Sequence, residues 1–315
     1  MIRKVNLPPA IRNPVEPVIK PRLGKQYWWE SLGTFNPGVT EYQGQVVLLY
    51  RAYDPFRISR LGLAVSDDGI SFTQLEYPAV DTDPDNPYER LGIEDPRITK
   101  IGSDYYIVHT CASYYAFGHT ADVSSPQALD SLPWRTRIGI KKTNDFISFE
   151  SAGYLPNVPA KNGLLLPEKM GDEFGLYYRE GDDLTVAYSP NLQDWHNATK
   201  IEWPEPGNGQ NLKFGTGSQL IPTPQGNLMV YHTVDSQQVY RLGLMMFSLA
   251  NPTQIIWYSN PILSPEMPYE KEGFVPNVVY CCGAIIRNNE LWIYYGAADQ
   301  VIGRAIWPLS GLPAI

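Results

Sequence analysis

Five stretches of the chain share one pattern of polar and apolar positions: a polar turn, a strand, a tight turn, then a nearly unbroken apolar run. They are "FNPGVTEYQGQVVLLYRA" from Phe35, "EDPRITKIGSDYYIVHT" from Glu94, "LLPEKMGDEFGLYYRE" from Leu165, "GTGSQLIPTPQGNLMVYHT" from Gly215 and "VPNVVYCCGAIIRNNELWIYYGAAD" from Val275. Each reads as strand, Gly- or Asn-centred hairpin, strand. A second unit follows the first four. "SRLGLAVSDDGISF" from Ser59 lies on "TRIGIKKTNDFISF" from Thr136 without a gap, and Arg, Gly, Asp, Ile, Ser and Phe coincide. Weaker copies are "DLTVAYSPNLQDW" from Asp183 and "YRLGLMMFSLANPTQIIW" from Tyr240, and "GRAIWPL" takes that place in the fifth unit.

Five repeats of about four short strands predict an all-β protein, a five-bladed β-propeller. Closing the ring removes the edges that an open sheet of this size would expose. A two-sheet sandwich accounts less well for repeats that run along the whole chain. The expected organisation is one catalytic domain over residues 1–315. Residues 1–26 form an N-terminal arm, placed either to add an outer strand or to reach a neighbouring copy.

Composition narrows the class. Hydrophobic residues are 43% of the chain, and the 28 Pro and 26 Gly are dispersed, as many short strands require. A net charge of −8 without a long basic block argues against nucleic-acid binding. No run is long enough for a membrane span, and "MIRKVNLPPAIRNPVEPVIKP" lacks the apolar core of a signal peptide. With only Cys111, Cys281 and Cys282, the expectation is a soluble, reduced, cytoplasmic protein.

In a propeller the innermost strand of each blade opens at one face of a central channel. The expected openings carry Asn36, Glu94-Asp95, Pro167-Glu168-Lys169, Gly215-Thr216-Gly217 and Asn277. The second strands end in Arg51, Arg179-Glu180, His232 and Asp299. One such residue is ordinarily a solvated or salt-bridged rim group. Equivalent positions in several blades, however, turn toward one point. The carboxylates there are Glu94, Asp95 and Asp299, and the cations are Arg51, Arg57, Arg60, Lys161, Lys169, Arg179, Lys213 and His232. An inverting hydrolase needs two carboxylates, roughly 6.5–9.5 Å apart, as acid and base. Phosphate as nucleophile is already anionic and needs cations and donors instead. One acid with a cationic cluster therefore points to phosphorolysis. No metal motif stands out, "GTGSQL" lacks the Lys of a nucleotide loop, and there is no nucleophile elbow. No cofactor is expected beyond inorganic phosphate as co-substrate.

The motifs "FNPG", "LLYRA", "SRLGLAVSDDG", "GIEDPRI", "LLPEK", "KFGTGS", "YRLGL", "VPNVVYCCGA" and "YYGAAD" resemble glycoside hydrolase family 130, in order from Phe35 to Asp299. That family consists of five-bladed propellers, chiefly β-mannoside phosphorylases with some β-mannosidases, and its members are often oligomeric. The resemblance implies that Asp95 is the general acid, protonating the glycosidic oxygen through the 3-hydroxyl of the bound mannose. It implies that Asn36, Arg51, Arg57, Glu94, Lys213, Tyr240 and Asp299 hold the sugars. Lys161, Asn162, Arg179 and His232 would hold phosphate. At Lys161 the family often has Arg, so a bidentate fork is replaced by a point charge. "KFGTGSQL" departs from "KIGAGPPP" and "YYRE" from "HRP", which bears on the acceptor.

The leading expectation is an inverting phosphorylase that gives α-mannose 1-phosphate, with mannose, glucose or N-acetylglucosamine as acceptor and a β-1,4 or β-1,2 linkage. The alternatives are a mannoside hydrolase with Glu180 as base, and a non-catalytic sugar-binding propeller.

Overall fold

The computed structural model describes residues 2–114, 134–156, 158–204 and 213–313. An N-terminal arm carries β1 (Arg3–Val5) and β2 (Ile11–Arg12) and ends in a 3-10 turn at Lys25–Glu30. Five groups of antiparallel strands follow. The first is β3 (Gly33–Tyr42), β4 (Gln45–Tyr53), β5 (Ser59–Ser66) and β6 (Thr73–Gln74). The second is β7 (Gly92–Ile101), β8 (Asp104–Tyr114), β9 (Trp134–Thr143) and β10 (Glu150–Leu155). A single parallel pair, Ser59 with Gly92, joins these two groups. The third is β11 (Ala160–Leu165), β12 (Phe174–Glu180), β13 (Asp183–Ser189) and β14 (His196–Ile201). The fourth is β15 (Lys213–Thr216), β16 (Ile221–Thr223), β17 (Gly226–Val234), β18 (Tyr240–Phe247) and β19 (Ile255–Ser259). The fifth is β20 (Val279–Arg287), β21 (Glu290–Ala297) and β22 (Val301–Pro308).

The unbroken apolar runs have a direct cause. Successive side chains on a strand point to opposite faces, and here both faces are covered. Along β4, Val46, Leu48, Tyr50 and Ala52 pack with Trp292 and Tyr294 of the fifth group. Val47 and Leu49 pack the other way, with Ile93, Ile98 and Ile107 of the second group. The same division recurs along β17, where Leu228 and Val230 meet the fifth group and Met229 and Tyr231 meet the third. A shared core also links the second and third groups, through Val108, Ile138, Leu165 and Leu176. Each group thus shares apolar side chains with the next, and the fifth with the first.

The recurrent turn after the third strand is a side-chain device. Asp68 Oδ1 accepts the backbone N–H groups of Ile70 and Ser71, Asp145 those of Ile147 and Ser148, and Asn191 those of Gln193 and Asp194. These bonds hold the Asp68 and Asp145 carboxyls below their usual range.

The arm supplies outer strands, as one of its two expected roles requires. β1 lies parallel on β19 and β2 antiparallel on β22 of the same chain. Arg12 fixes it by donating from Nε and Nη2 to the fully buried Glu270, each at 2.8 Å. Glu270 also accepts from Tyr295. Among the described residues no helix is long and apolar enough to cross a membrane.

Two-sided burial makes a checkable prediction. Leu48→Ala and Leu49→Ala open cavities in different seams, so each is expected to cost about 2–5 kcal/mol in urea unfolding. A strand with one solvent face would lose stability at only one of the two positions.

Candidate active site

The inner strands turn their side chains into the centre by a repeated backbone device. Asn36, Asp95 and Asn162 have φ of 49°, 53° and 58°, and each sits where the ladder to the second strand slips register. Asn and Asp tolerate this left-handed region better than bulky residues, and a bulge re-aims the side chain. Proline follows two of them, as Pro37 and Pro96, where the lost N–H has no ladder partner to miss. This accounts for "EDPR" at the start of β7. Asn277, with φ of 60°, stands just ahead of β20.

These openings border a funnel of about 270 Å³. It is lined by Asn36, Arg51, Glu94, Asp95, Lys161, Asn162, Arg179, His232, Tyr240 and Asp299, together with Thr110, Thr136, Val275, Val278 and Tyr280. Ten of the twelve predicted site residues are in the first set. The ladder explains the convergence: Phe35 faces Arg51, Glu94 faces Thr110, Lys161 faces Arg179 and Gly215 faces His232. Two glycines make room. A Cβ on Gly296 would stand 2.1 Å from Asn36 Oδ1, and one on Gly215 would stand 2.2 Å from the His232 ring.

One side of the funnel is a carboxylate cluster organised by Arg51. Its guanidinium donates to Glu94 at 2.6 Å, to Asp95 Oδ1 at 3.3 Å, to Ser59 at 2.8 Å and to the Tyr53 hydroxyl. Asn36 Nδ2 donates to the same Asp95 oxygen at 2.9 Å. Burial opposes the Arg51 charge, but Glu94 and Asp95 outweigh it and raise its pKa. Burial also raises the pKa of Glu94, against the pull of Arg51. Asp299 is pushed up to about 6, by burial first and then by repulsion from Asp95 and Glu94, with Arg51 opposing.

The other side is cationic and unpaired. Among the described residues neither Lys161 nor Arg179 forms an ion pair, so the rim carboxylates Glu168 and Glu180 do not neutralise them. Lys161 is an exposed member of the funnel lining. Its pKa is lowered by desolvation first, then by Arg179, and also by Lys213. Arg179 Nε and His232 Nδ1 are buried without a hydrogen-bond partner, as is Asn36 Oδ1. Buried polar atoms left unpaired cost stability, and their concentration here marks a place for a ligand.

Several expectations need correction. His232 was counted as a cation. Burial, followed by repulsion from Arg179, Arg97 and Lys161, lowers its pKa well below the ordinary value, so the ring is neutral at neutral pH. The third opening is Lys161-Asn162, not Pro167-Glu168-Lys169. The latter lies in the turn between β11 and β12, at the far end of the strand, with the Lys169 ammonium 4.1 Å from the Phe174 ring centre. Glu180 is exposed and lies off the funnel, because alternation turns it away from the face that Arg179 shows. Arg60 pairs with Asp54 and Asp81. Lys213 and Arg57 do not line the funnel. Lys213 is near enough to repel Lys161, and Arg57, with φ of 62°, stands over Phe274 beside the lining residue Val275. Thr110 and Thr136 were missed, although Thr110 occupies on β8 the place that Arg51 occupies on β4, which the repeat alone could have indicated. For Tyr280 the sequence carried no separate signal.

Away from the funnel, Glu89, His109 and Cys111 bring three potential metal-ligand atoms within 4.8 Å of one another, all buried. The Lys141 ammonium is 3.3 Å from Glu89 and already supplies the positive charge there.

The chain matches glycoside hydrolase family 130, described as β-1,4-mannooligosaccharide phosphorylase, over residues 11–312. It is 35% identical to a 1,2-β-oligomannan phosphorylase of Thermoanaerobacter sp. (strain X514), across 94% of this chain and 96% of that protein. It is 33% identical to a β-1,2-mannobiose phosphorylase of the same organism, across 92% and 94%. A solved β-1,2-mannobiose phosphorylase from Listeria innocua, in complex with β-1,2-mannobiose, superposes with a TM-score of 0.78 at 26% identity, covering 96% of this chain and 97% of that one. The chain belongs to glycoside hydrolase family 130, a family of β-propellers.

The Asp299 environment sets a pH dependence. Its folded pKa lies above the unfolded value, so the folded state binds the extra proton, and this group's contribution to stability falls as pH rises through about 6. Asp299→Asn is therefore expected to stabilise the protein at neutral pH by about 1–3 kcal/mol. Little or no gain should appear well below the unfolded carboxylate pKa. Thermal unfolding across that range checks the claim, and an equal effect at all pH values would contradict it.

Proposed function

We propose that the chain is an inverting phosphorylase that cleaves a β-mannoside with inorganic phosphate and releases α-mannose 1-phosphate. It would act as one five-bladed propeller domain, in the cytoplasm, without a further cofactor. The observation that carries the reading is the cationic wall of Lys161 and Arg179, which forms no ion pair among the described residues and shares one funnel with Asp95. An anion bound there would offset the desolvation and the Arg179 repulsion that lower the Lys161 pKa, and would give partners to Arg179 Nε and His232 Nδ1. Neutral His232 can exchange hydrogen bonds with phosphate in either protonation state.

In this reading Asp95 is the proton donor. Asn36 and Arg51 both bond its Oδ1, which leaves Oδ2 to carry the proton toward the sugar. Phosphate held at Lys161, Asn162, Arg179 and His232 attacks the anomeric carbon from the opposite face as the glycosidic bond breaks, so the configuration inverts. Asn36, Arg51, Glu94, Tyr240 and Asp299 hold the mannose, with Arg57 and Lys213 at the rim toward the acceptor. The two relatives above 30% identity are named for β-1,2-linked mannan, which makes β-1,2-mannobiose the first substrate to assay.

The hydrolase alternative loses its proposed base, because Glu180 lies outside the funnel. A purely sugar-binding role would leave the unpaired cations without a purpose.

Incubation with β-1,2- and β-1,4-mannobiose, with and without phosphate, is expected to show phosphate-dependent release of α-mannose 1-phosphate. Free mannose formed at the same rate in phosphate-free buffer would rule out phosphorolysis. Asp95→Asn should reduce turnover at least ~10²-fold, the scale of general acid catalysis, with the fold intact. Near-normal activity would remove Asp95 from this role. Arg179→Ala should raise KM for phosphate more than KM for the mannoside, since its guanidinium would touch only the nucleophile.

A further inference from the structure

Arg97 lies beneath the funnel and does not line it. It is fully buried, at 0% exposure, and its hydrogen bonds go to no carboxylate side chain. Such a group is costly to bury and is ordinarily paired. Its fork instead donates to the carbonyls of Gly217 at 2.6 Å, Thr216 at 3.2 Å and Asp95 at 3.2 Å, and to the Tyr280 hydroxyl at 3.3 Å. The Asp95 carbonyl belongs to the left-handed bulge that aims that carboxylate. Tyr280 in turn donates to Asn162 Oδ1 at 3.0 Å, while the Thr216 hydroxyl donates to the Asn162 carbonyl at 2.6 Å. One guanidinium therefore ties the openings of the second and fourth strand groups together directly, and reaches the third through the fifth.

We propose that Arg97 is a positioning residue for both halves of the reaction. It sets the Asp95 bulge and, through Tyr280, the Asn162 amide, and so fixes the distance between proton donor and phosphate. This rests on the phosphorolysis reading above. Lysine cannot take the place of arginine, because a single ammonium cannot span acceptors on three strands. Displacing reacting groups by about 1 Å costs on the order of 10²-fold in rate, so the effect should appear in turnover and not only in stability.

Arg97→Lys and Tyr280→Phe test this, with melting temperature and both KM values measured beside kcat. Arg97→Lys is expected to lower kcat by about 10- to 100-fold and to raise KM for phosphate. Tyr280→Phe cuts only the branch to Asn162. It should raise KM for phosphate by about fivefold, the equivalent of one hydrogen bond, and by more than it changes KM for the mannoside. A role confined to stability would lower the melting temperature of both variants and leave these parameters as in the wild type. That result overturns the proposal. Should Arg97→Lys fail to fold, Tyr280→Phe decides alone, and an unchanged phosphate KM counts against the proposal. Wild-type enzyme assayed without phosphate keeps the two readings apart. Phosphate-independent turnover would defeat phosphorolysis, and Arg97 would then be judged on the kcat of Arg97→Lys.

Discussion

The structure depends on burying both faces of every second strand. Alternate residues of β4 serve two different cores, and so do those of β8, β12, β17 and β21. A strand in that position cannot slip by one residue, because a slip would exchange one set of contacts for another of different shape. Register is thereby fixed at the strand ends as well. The residues that follow the apolar runs, Arg51, Thr110, Arg179 and His232, are carried to the same height around one centre.

The funnel then separates charge within a small space. Arg51 gathers Glu94, Asp95 and Asp299 on one side, and burial keeps Glu94 and Asp299 less acidic than usual. Lys161 and Arg179 lie on the other side with Lys213 nearby, and burial, followed by repulsion from Arg179, Arg97 and Lys161, keeps His232 neutral. The cationic side is locally unfavourable. Unpaired buried polar atoms and like charges close together are the kind of local cost that a binding site carries and the surrounding structure offsets. The shared apolar cores on either side provide that offset here.

The two sides are coupled through Arg97, which bonds backbone carbonyls and, through the Tyr280 hydroxyl, the Asn162 side chain. Arg97 bonds the Asp95 carbonyl on one strand and the Thr216 and Gly217 carbonyls on another, so the left-handed geometry at Asp95 is held from below. The arm acts at the periphery in the same manner, adding strands to β19 and β22 and anchoring Arg12 on Glu270.

Much of this was legible in the chain itself. The apolar runs named the second strands, the "SRLGL" and "TRIGI" copies named the third, and Asn36, Glu94-Asp95 and Asn277 were read as strand openings. Asp95 stood out because acid, proline and arginine together make poor strand and good opening. The sequence could not show that "KNG", not "PEK", opens the third group, because both are polar turns beside apolar residues and only the ladder with β12 distinguishes them. It could not show that Glu180 faces outward, that His232 is neutral, or that Lys161 and Arg179 form no ion pair among the described residues. Those properties depend on distances between strands far apart in the chain. The hydrogen bonds of Tyr280 and Arg97 were not legible for the same reason, since they form only where four strand groups meet.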